Sequence, residues 1–290
     1  IGMDAVNWPK IGTVAASWIV SPIIGGVIAL VLMLSIRKLI LNTDNPFQKA
    51  KTCGPVYVFM VGFIVALVTL FKGLKHLKLE FTGTESFIAA VVVGLIVAVI
   101  GKMMINKVEV DKSADREFHY ASVEKVFTPM MIFTACAMAF AHGSNDVANG
   151  IGPLAAVVSI IESGGEVTQK AELPIWILIL GGAGIVIGLA TMGYKVMQTI
   201  GTKITELTPT RGYCATLASA MTVVIASKTG LPVSTTQIAV GAVMGVGFAR
   251  GIGALDLRVL GNIAVSWVVT LPAGGILAAM IFFILRGIFG

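Results

Sequence analysis

Six stretches of the chain are almost purely apolar, at about 11–34, 55–71, 86–106, 127–141, 174–200 and 259–289. Most approach or exceed the roughly 20 residues that a helix needs to cross the ~30 Å hydrocarbon core of a bilayer. Three further apolar pieces are too short or too interrupted for ordinary spans: 145–162, 208–228 and 234–249. Glycine, proline or polar clusters bound each of them. They are expected to be half-helices or re-entrant segments, which lipid tolerates only where their backbone groups are covered by protein or line a wet cavity. The pattern predicts an all-α polytopic membrane protein with broken or re-entrant helices.

One pair of apolar segments is related internally. Residues 11–37 and 260–286 align without a gap at an offset of 249. Gly12 matches Gly261, Ala15 matches Ala264, Ser17-Trp18 matches Ser266-Trp267, Gly25-Gly26 matches Gly274-Gly275, and Arg37 matches Arg286. Gly2 and Ala5 match Gly251 and Ala254 in the same register. Such self-similarity is the mark of inverted repeats in transporter folds. It predicts three parts: 1–37 as the tail of a first repeat, 38–126 as an intervening hairpin and loop, and 127–290 as a second repeat. On this reading most of the first repeat would lie upstream of Ile1.

Composition agrees with the membrane reading. Hydrophobic residues make up 56% of the chain and charged residues 12%, against about 25% charge in an ordinary soluble domain. The net charge of +6 comes from lysines and arginines scattered between apolar runs, which argues for loops beside a membrane and against nucleic-acid binding. Arg37, Lys38, Lys49 and Lys51 face a single acid, Asp44, in the 35–51 segment. If 55–71 and 86–106 form a hairpin, that segment and the polar stretch between 106 and 127 share a side, and their basic content places it in the cytoplasm. Lys72, Lys75 and Lys78 in the 72–85 loop pull the other way. Cys53, Cys136 and Cys214 lack metal-ligand spacing and are expected to be buried thiols. His76 and His119 fall in charged loops. No nucleophile–base pair, carboxylate pair or metal triad lies in the apolar segments, so an enzyme is not expected.

Two motifs carry candidate chemistry. In GSNDVANG, 143–150, Asn145, Asp146 and Asn149 place hard oxygens inside an apolar region, and ionisable groups there usually serve ions or substrates. These oxygens suit Na⁺. Gly143, Gly150 and Gly152 are expected to let the helix break and free backbone carbonyls. His142 beside the motif is expected to pack or hydrogen-bond. In the second motif, GLPVSTTQIAVGAVMGVG at 230–247, Pro232 interrupts the preceding segment, and Ser234, Thr235 or Thr236 can cap the helix that follows. A helix N-terminus at membrane depth offers unpaired N–H groups and a favourable dipole to an anion. Gly241, Gly245 and Gly247 permit close helix packing. A cation site beside an oxyanion site suggests coupled transport.

GSNDVANG and Pro232–Gln237 resemble the paired signatures of the inorganic phosphate transporter (PiT) family, the sodium- or proton-coupled phosphate symporters. Gly143, Asn145, Asp146 and Asn149 match the first signature, and the PVSTTQ run matches the second. The resemblance extends over the whole chain, although each signature occurs here once where the family carries it twice. It implies alternating access in inverted repeats, with phosphate bound between the copies. It implies phosphate contacts from Ser234, Thr235, Thr236 and Asn145, and sodium contacts from Asn145, Asp146, Asn149 and Gln237. Some relatives carry His at the position of Gln237, and its replacement here favours Na⁺ over H⁺. Asp146 would face a cation, because an ionised carboxylate repels phosphate. The expected partners are inorganic phosphate, Na⁺ as the coupling ion, and the lipid of a plasma or bacterial inner membrane, with no other cofactor and no nucleic acid. Glycine-rich faces and Trp18 and Trp267 are compatible with a homodimer. A proton-coupled phosphate or sulfate permease stays open, as does an ion channel or membrane structural subunit.

Overall fold

The computed structural model describes residues 7–70, 83–109, 120–164, 173–229 and 231–289, and among them every regular element is helical. Lys72, Lys75, His76, Lys78 and His119 lie outside the described residues.

Local chemistry sets several helix starts. Asn7 accepts the Lys10 N–H at 3.1 Å and Pro9 sits in the first turn, which opens α1 at Trp8–Ile36. Asn45 caps α2, Pro46–Val68, in the same way, with Pro46 in the first turn. This cap starts α2 well before the apolar run that signals it. Next come α3, Gly83–Asn106, and α4, Ala121–Glu162. An apolar rod, α5, runs over Ile175–Lys203 with π-turns at Leu189–Gly193 and Thr199–Lys203. Two shorter helices, α6 at Pro209–Thr229 and α7 at Thr235–Arg250, are followed by a long α8, Leu257–Phe289.

Among the described residues six helices, α1 to α5 and α8, are long and apolar enough to cross a membrane. The outward surfaces of α3, α5 and α8 are lined with Val, Ile, Leu and Phe, as lipid contact requires. In α8 no residue is buried. By contrast α7 is largely buried, and its 16 residues span only about 24 Å. The α6–α7 pair is thus a helical hairpin packed within the other helices, as expected for re-entrant segments at 208–228 and 234–249.

Its packing depends on missing side chains. A Cβ on Gly26 would stand 3.0 Å from the Gly241 carbonyl oxygen, and Cβ atoms on Gly241 and Gly245 would overlap the backbone of Pro22 and Gly26. Helices α1 and α7 therefore touch backbone to backbone. On the opposite side, Thr134 of α4 and Thr216 of α6 hydrogen-bond at 2.6 Å. Tyr213 of α6 donates to the Tyr57 carbonyl of α2 at 2.8 Å, and both rings meet Phe127 of α4.

Two expectations need correction. Segment 145–162 is not a half-helix: α4 runs unbroken through Gly143, Gly150 and Gly152. A glycine costs a helix only about 1 kcal/mol relative to Ala, whereas each backbone group left unpaired in an apolar setting costs several. Permission to break is not a cause of breaking. Cys136 is exposed, not buried, on an α4 face shared with Ile132, Phe133 and Phe140. That face is apolar and outward, a setting for a thiol that needs no protein cover.

Candidate functional site

The two motifs meet although 89 residues separate their central members. The Thr235 hydroxyl, buried in the first turn of α7, lies 3.0 and 3.2 Å from the two carboxylate oxygens of Asp146 on α4. Asn145 donates from Nδ2 to the Val233 carbonyl at 3.3 Å and lies 3.3 Å from its neighbour's Oδ1. The tip of the α6–α7 hairpin is thereby fastened to the middle of α4.

Ser234 is the cap residue of α7, with an extended backbone and a side-chain oxygen 3.4 Å from the Gln237 N–H. The amides of Thr235 and Thr236 come earlier in the turn and have no intrahelical acceptor. Two donors and the positive end of the helix dipole thus sit within one turn of Asp146. Pro232 places this end, since the segment before it cannot run straight into α7.

The first turn of α7 presents two faces. Thr235 points toward α4. Ser234 and Gln237 line an open cleft of about 960 Å³ between α1, α7 and α8, bordered by Trp18 and Trp267. Gln237 is 9% exposed, and its Oε1 is buried with no hydrogen-bond partner. A buried amide oxygen in that state costs about 1–3 kcal/mol and is a natural cation ligand. Thr236 and Asn149 are both exposed. Of the residues marked by sequence, Asn145, Asp146 and Thr235 are brought into one cluster, Ser234 and Gln237 sit on the other face of the same turn, and Thr236 and Asn149 stand apart from these hydrogen bonds.

A backbone oxygen does become available near Asn149, by a route other than a helix break. Pro153 lies inside α4 and lacks the N–H that would bond the carbonyl four residues earlier, which is that of Asn149.

One expected hydrogen-bonding residue gains its partner here, and one contributor was missed from sequence. His142 stands one turn before Asp146, and its Nε2 contacts the Asp146 carboxylate. The i,i+4 spacing was a signal that could have found it. Ser17 of α1 donates to the Pro232 carbonyl at 2.5 Å, bracing the hairpin tip from the side opposite Asn145. Nothing local in the sequence marks that contact. Among the described residues no group of three His, Cys, Asp or Glu side chains is placed to hold a metal ion. The oxygens present are one carboxylate, amides, hydroxyls and backbone carbonyls, a donor set that fits a weakly held hard cation and not a transition metal.

Comparison with known proteins agrees with this chemistry. The sequence model of the Phosphate transporter family matches residues 1–278. A Haemophilus influenzae protein named as a candidate phosphate permease is 50% identical over 292 residues, covering 100% of this chain and 69% of its own. The chloroplastic inorganic phosphate transporter 2-1 of Arabidopsis thaliana is 39% identical, over 96% of this chain and 50% of its own. Among solved structures, one described as the sodium-dependent phosphate transporter superposes with a TM-score of 0.85 at 36% identity, over 100% of this chain and 70% of that one. With six spanning helices and this match along nearly its whole length, the chain belongs to the phosphate transporter family, as a multi-pass integral membrane permease and not an enzyme.

Proposed function

We propose that the protein is a sodium-coupled symporter of inorganic phosphate working by alternating access. The observation that carries this reading is the contact of Asp146 with Thr235 at the capped end of α7. It joins a place for a cation to a place for an oxyanion. Phosphate is held by the first-turn amides and hydroxyls at Ser234, Thr235 and Thr236, with Asn145 at its edge. Sodium is held by oxygens of Asn145 and Asp146, with Asn149 and Gln237, which stand outside that cluster in this conformation, joining as the site closes in the alternating-access cycle.

Coupling follows from charge. At 4 Å, two like unit charges repel by about 4 kcal/mol at an effective dielectric constant of 20. Phosphate beside an ionised Asp146 meets that penalty, and Na⁺ between them offsets it. Each ion then raises the affinity for the other by the same factor. The structural neighbour described as sodium-dependent supports Na⁺ as the coupling ion. One observation favours a second reading, proton coupling: His142 places a second titratable group against the Asp146 carboxylate.

Uptake of labelled phosphate into proteoliposomes decides between them. An inward Na⁺ gradient should drive uptake in the wild type and fail in Asp146→Asn. Uptake indifferent to Na⁺ and driven by a pH step would move the coupling to protons. Equal uptake by wild type and variant would remove Asp146 from the site.

A further inference from the structure

At the far end of α7, about 24 Å from Ser234, lies a second polar cavity. It has a volume of about 340 Å³ and is formed where the end of α1, the starts of α4 and α6 and the end of α7 come together. Three arginines line it: Arg37, Arg211 and Arg250. A single carboxylate, Glu124, lines it with them.

The hydrogen bonds of these groups leave a cationic surplus. Glu124 is already engaged, accepting the backbone N–H and the hydroxyl of Thr210, each at 2.7 Å. Arg37 donates to the Ala249 carbonyl at 2.9 Å, and Arg250 to the Thr205 hydroxyl at 3.2 Å. Those two bonds suit cations at the C-terminal end of α7. Arg211 has no such excuse: it occupies the first turn of α6, where the helix dipole disfavours a cation, and it donates only to the Glu206 carbonyl, at 2.9 Å. Among the described residues no carboxylate oxygen lies within ion-pairing distance of any of the three guanidinium groups. Each guanidinium has five N–H donors in a fork that matches phosphate oxygens. The cavity wall also holds the Thr208 hydroxyl oxygen, buried with no hydrogen-bond partner.

We propose that this cavity is a second oxyanion site, separate from the one at Asp146 and Thr235, and that it takes a phosphate group through Arg37, Arg211 and Arg250. The chemistry is shared by two sources, free inorganic phosphate at the mouth of the permease and the headgroup phosphate of an anionic lipid at the bilayer edge. The proposal assumes family membership but not the assignment of the central site.

The test uses the whole protein and separates the sources. In one arm, inorganic phosphate is titrated calorimetrically into detergent-solubilised protein in sodium-free choline buffer, where a sodium-dependent central site stays empty. In the other, nanodiscs of phosphatidylglycerol or of phosphatidylcholine are compared by native mass spectrometry for retained lipid. Wild type is expected to hold a phosphate-bearing ligand in at least one arm, and Arg211→Gln with Arg250→Gln to weaken it roughly tenfold. Loss in the first arm alone identifies free phosphate, and loss in the second alone identifies lipid. If the double variant does not fold, Arg211→Gln alone gives the same reading, since its one backbone contact lies at the surface. Indistinguishable binding by wild type and variant in both arms overturns the proposal. A central site that binds phosphate without sodium adds a component that the arginine variants leave in place, so the two failures are told apart.

Discussion

Asp146 gains its meaning from Thr235. A carboxylate in an apolar helix is expensive unless paired, and here it meets a hydroxyl from α7 and an imidazole from its own helix. Thr235→Val keeps the shape and removes the donor. Losing a hydrogen bond to a charged group costs about 1.5–3 kcal/mol, so the sodium concentration for half-maximal uptake should rise at least roughly tenfold, with Thr235→Ser near wild type. Flux measured against sodium at fixed phosphate checks this; an unchanged sodium curve in the valine variant would separate Thr235 from the cation. Ser17 makes a different prediction, since it touches the loop and neither ligand. Ser17→Ala should raise KM for phosphate several-fold and leave the maximal rate nearly intact, as loss of positioning does. Much of this cluster was legible because Asn145, Asp146 and Ser234–Gln237 break an apolar pattern, and such breaks must be compensated somewhere. Ser17 was not legible: a serine in a helix ordinarily bonds its own backbone, and here the Val14 carbonyl, 2.6 Å away, shares the single hydroxyl proton with Pro232.

Among the elements, α7 and α4 show where sequence logic holds and where it fails. The start of α7 was readable because Pro232 and Ser234 act locally, one by removing a donor and the other by supplying an acceptor. The continuity of α4 was not. Glycines at 143, 150 and 152 allow many backbone conformations, and packing against α6 with the hydrogen bond from Asn145 to the Val233 carbonyl favours the continuous helix. Pro153, passed over in favour of the glycines, is the residue that alters the backbone bonding. The α1–α7 contact offers a direct test of glycine as a spacer. In Gly245→Ala the new methyl group overlaps the Gly26 backbone, and overpacking of this kind costs about 1–3 kcal/mol. The detergent-solubilised variant should melt several degrees lower and lose uptake. Gly12→Ala sits in the same α1 helix with nothing within 4 Å of the added methyl, and should melt at or above wild type. Equal melting of the two variants would mean that α1 and α7 are not in backbone contact.

The whole molecule is electrically lopsided. The Arg37–Asn42 turn, the start of α4 near Tyr120 and Glu124, the start of α6 at Arg211 and the end of α7 at Arg250 meet around one cavity, and so lie on one side. Lys51 donates to the Asn106 carbonyl at 3.1 Å, and the Asp256 N–H donates to the Ile204 carbonyl at 3.0 Å, so the α2 start, the α3 end and the two turns flanking the α6–α7 hairpin share that side as well. Helices α1 and α4 run from there to the opposite side, which among the described residues holds Lys10 and Glu162 at their far ends, with Glu85 at the start of α3 and Arg286 near the end of α8. That the 35–51 segment shares a side with the described end of α3 was foreseen from the expected hairpin of 55–71 and 86–106; the entry side of the α6–α7 hairpin was not, because no single segment encodes it. Lysine and arginine concentrate in loops that stay in the cytoplasm, which predicts that the hairpin enters from the cytoplasmic face. With Cys53, Cys136 and Cys214 replaced, Lys49→Cys should react with a membrane-impermeant maleimide in inside-out vesicles and resist it in right-side-out ones. Ser163→Cys, beyond the end of α4, should do the reverse. The opposite pattern would turn the molecule over: the arginine cavity would then face the outside, where an oxyanion site would gather cargo for entry in place of meeting it on release.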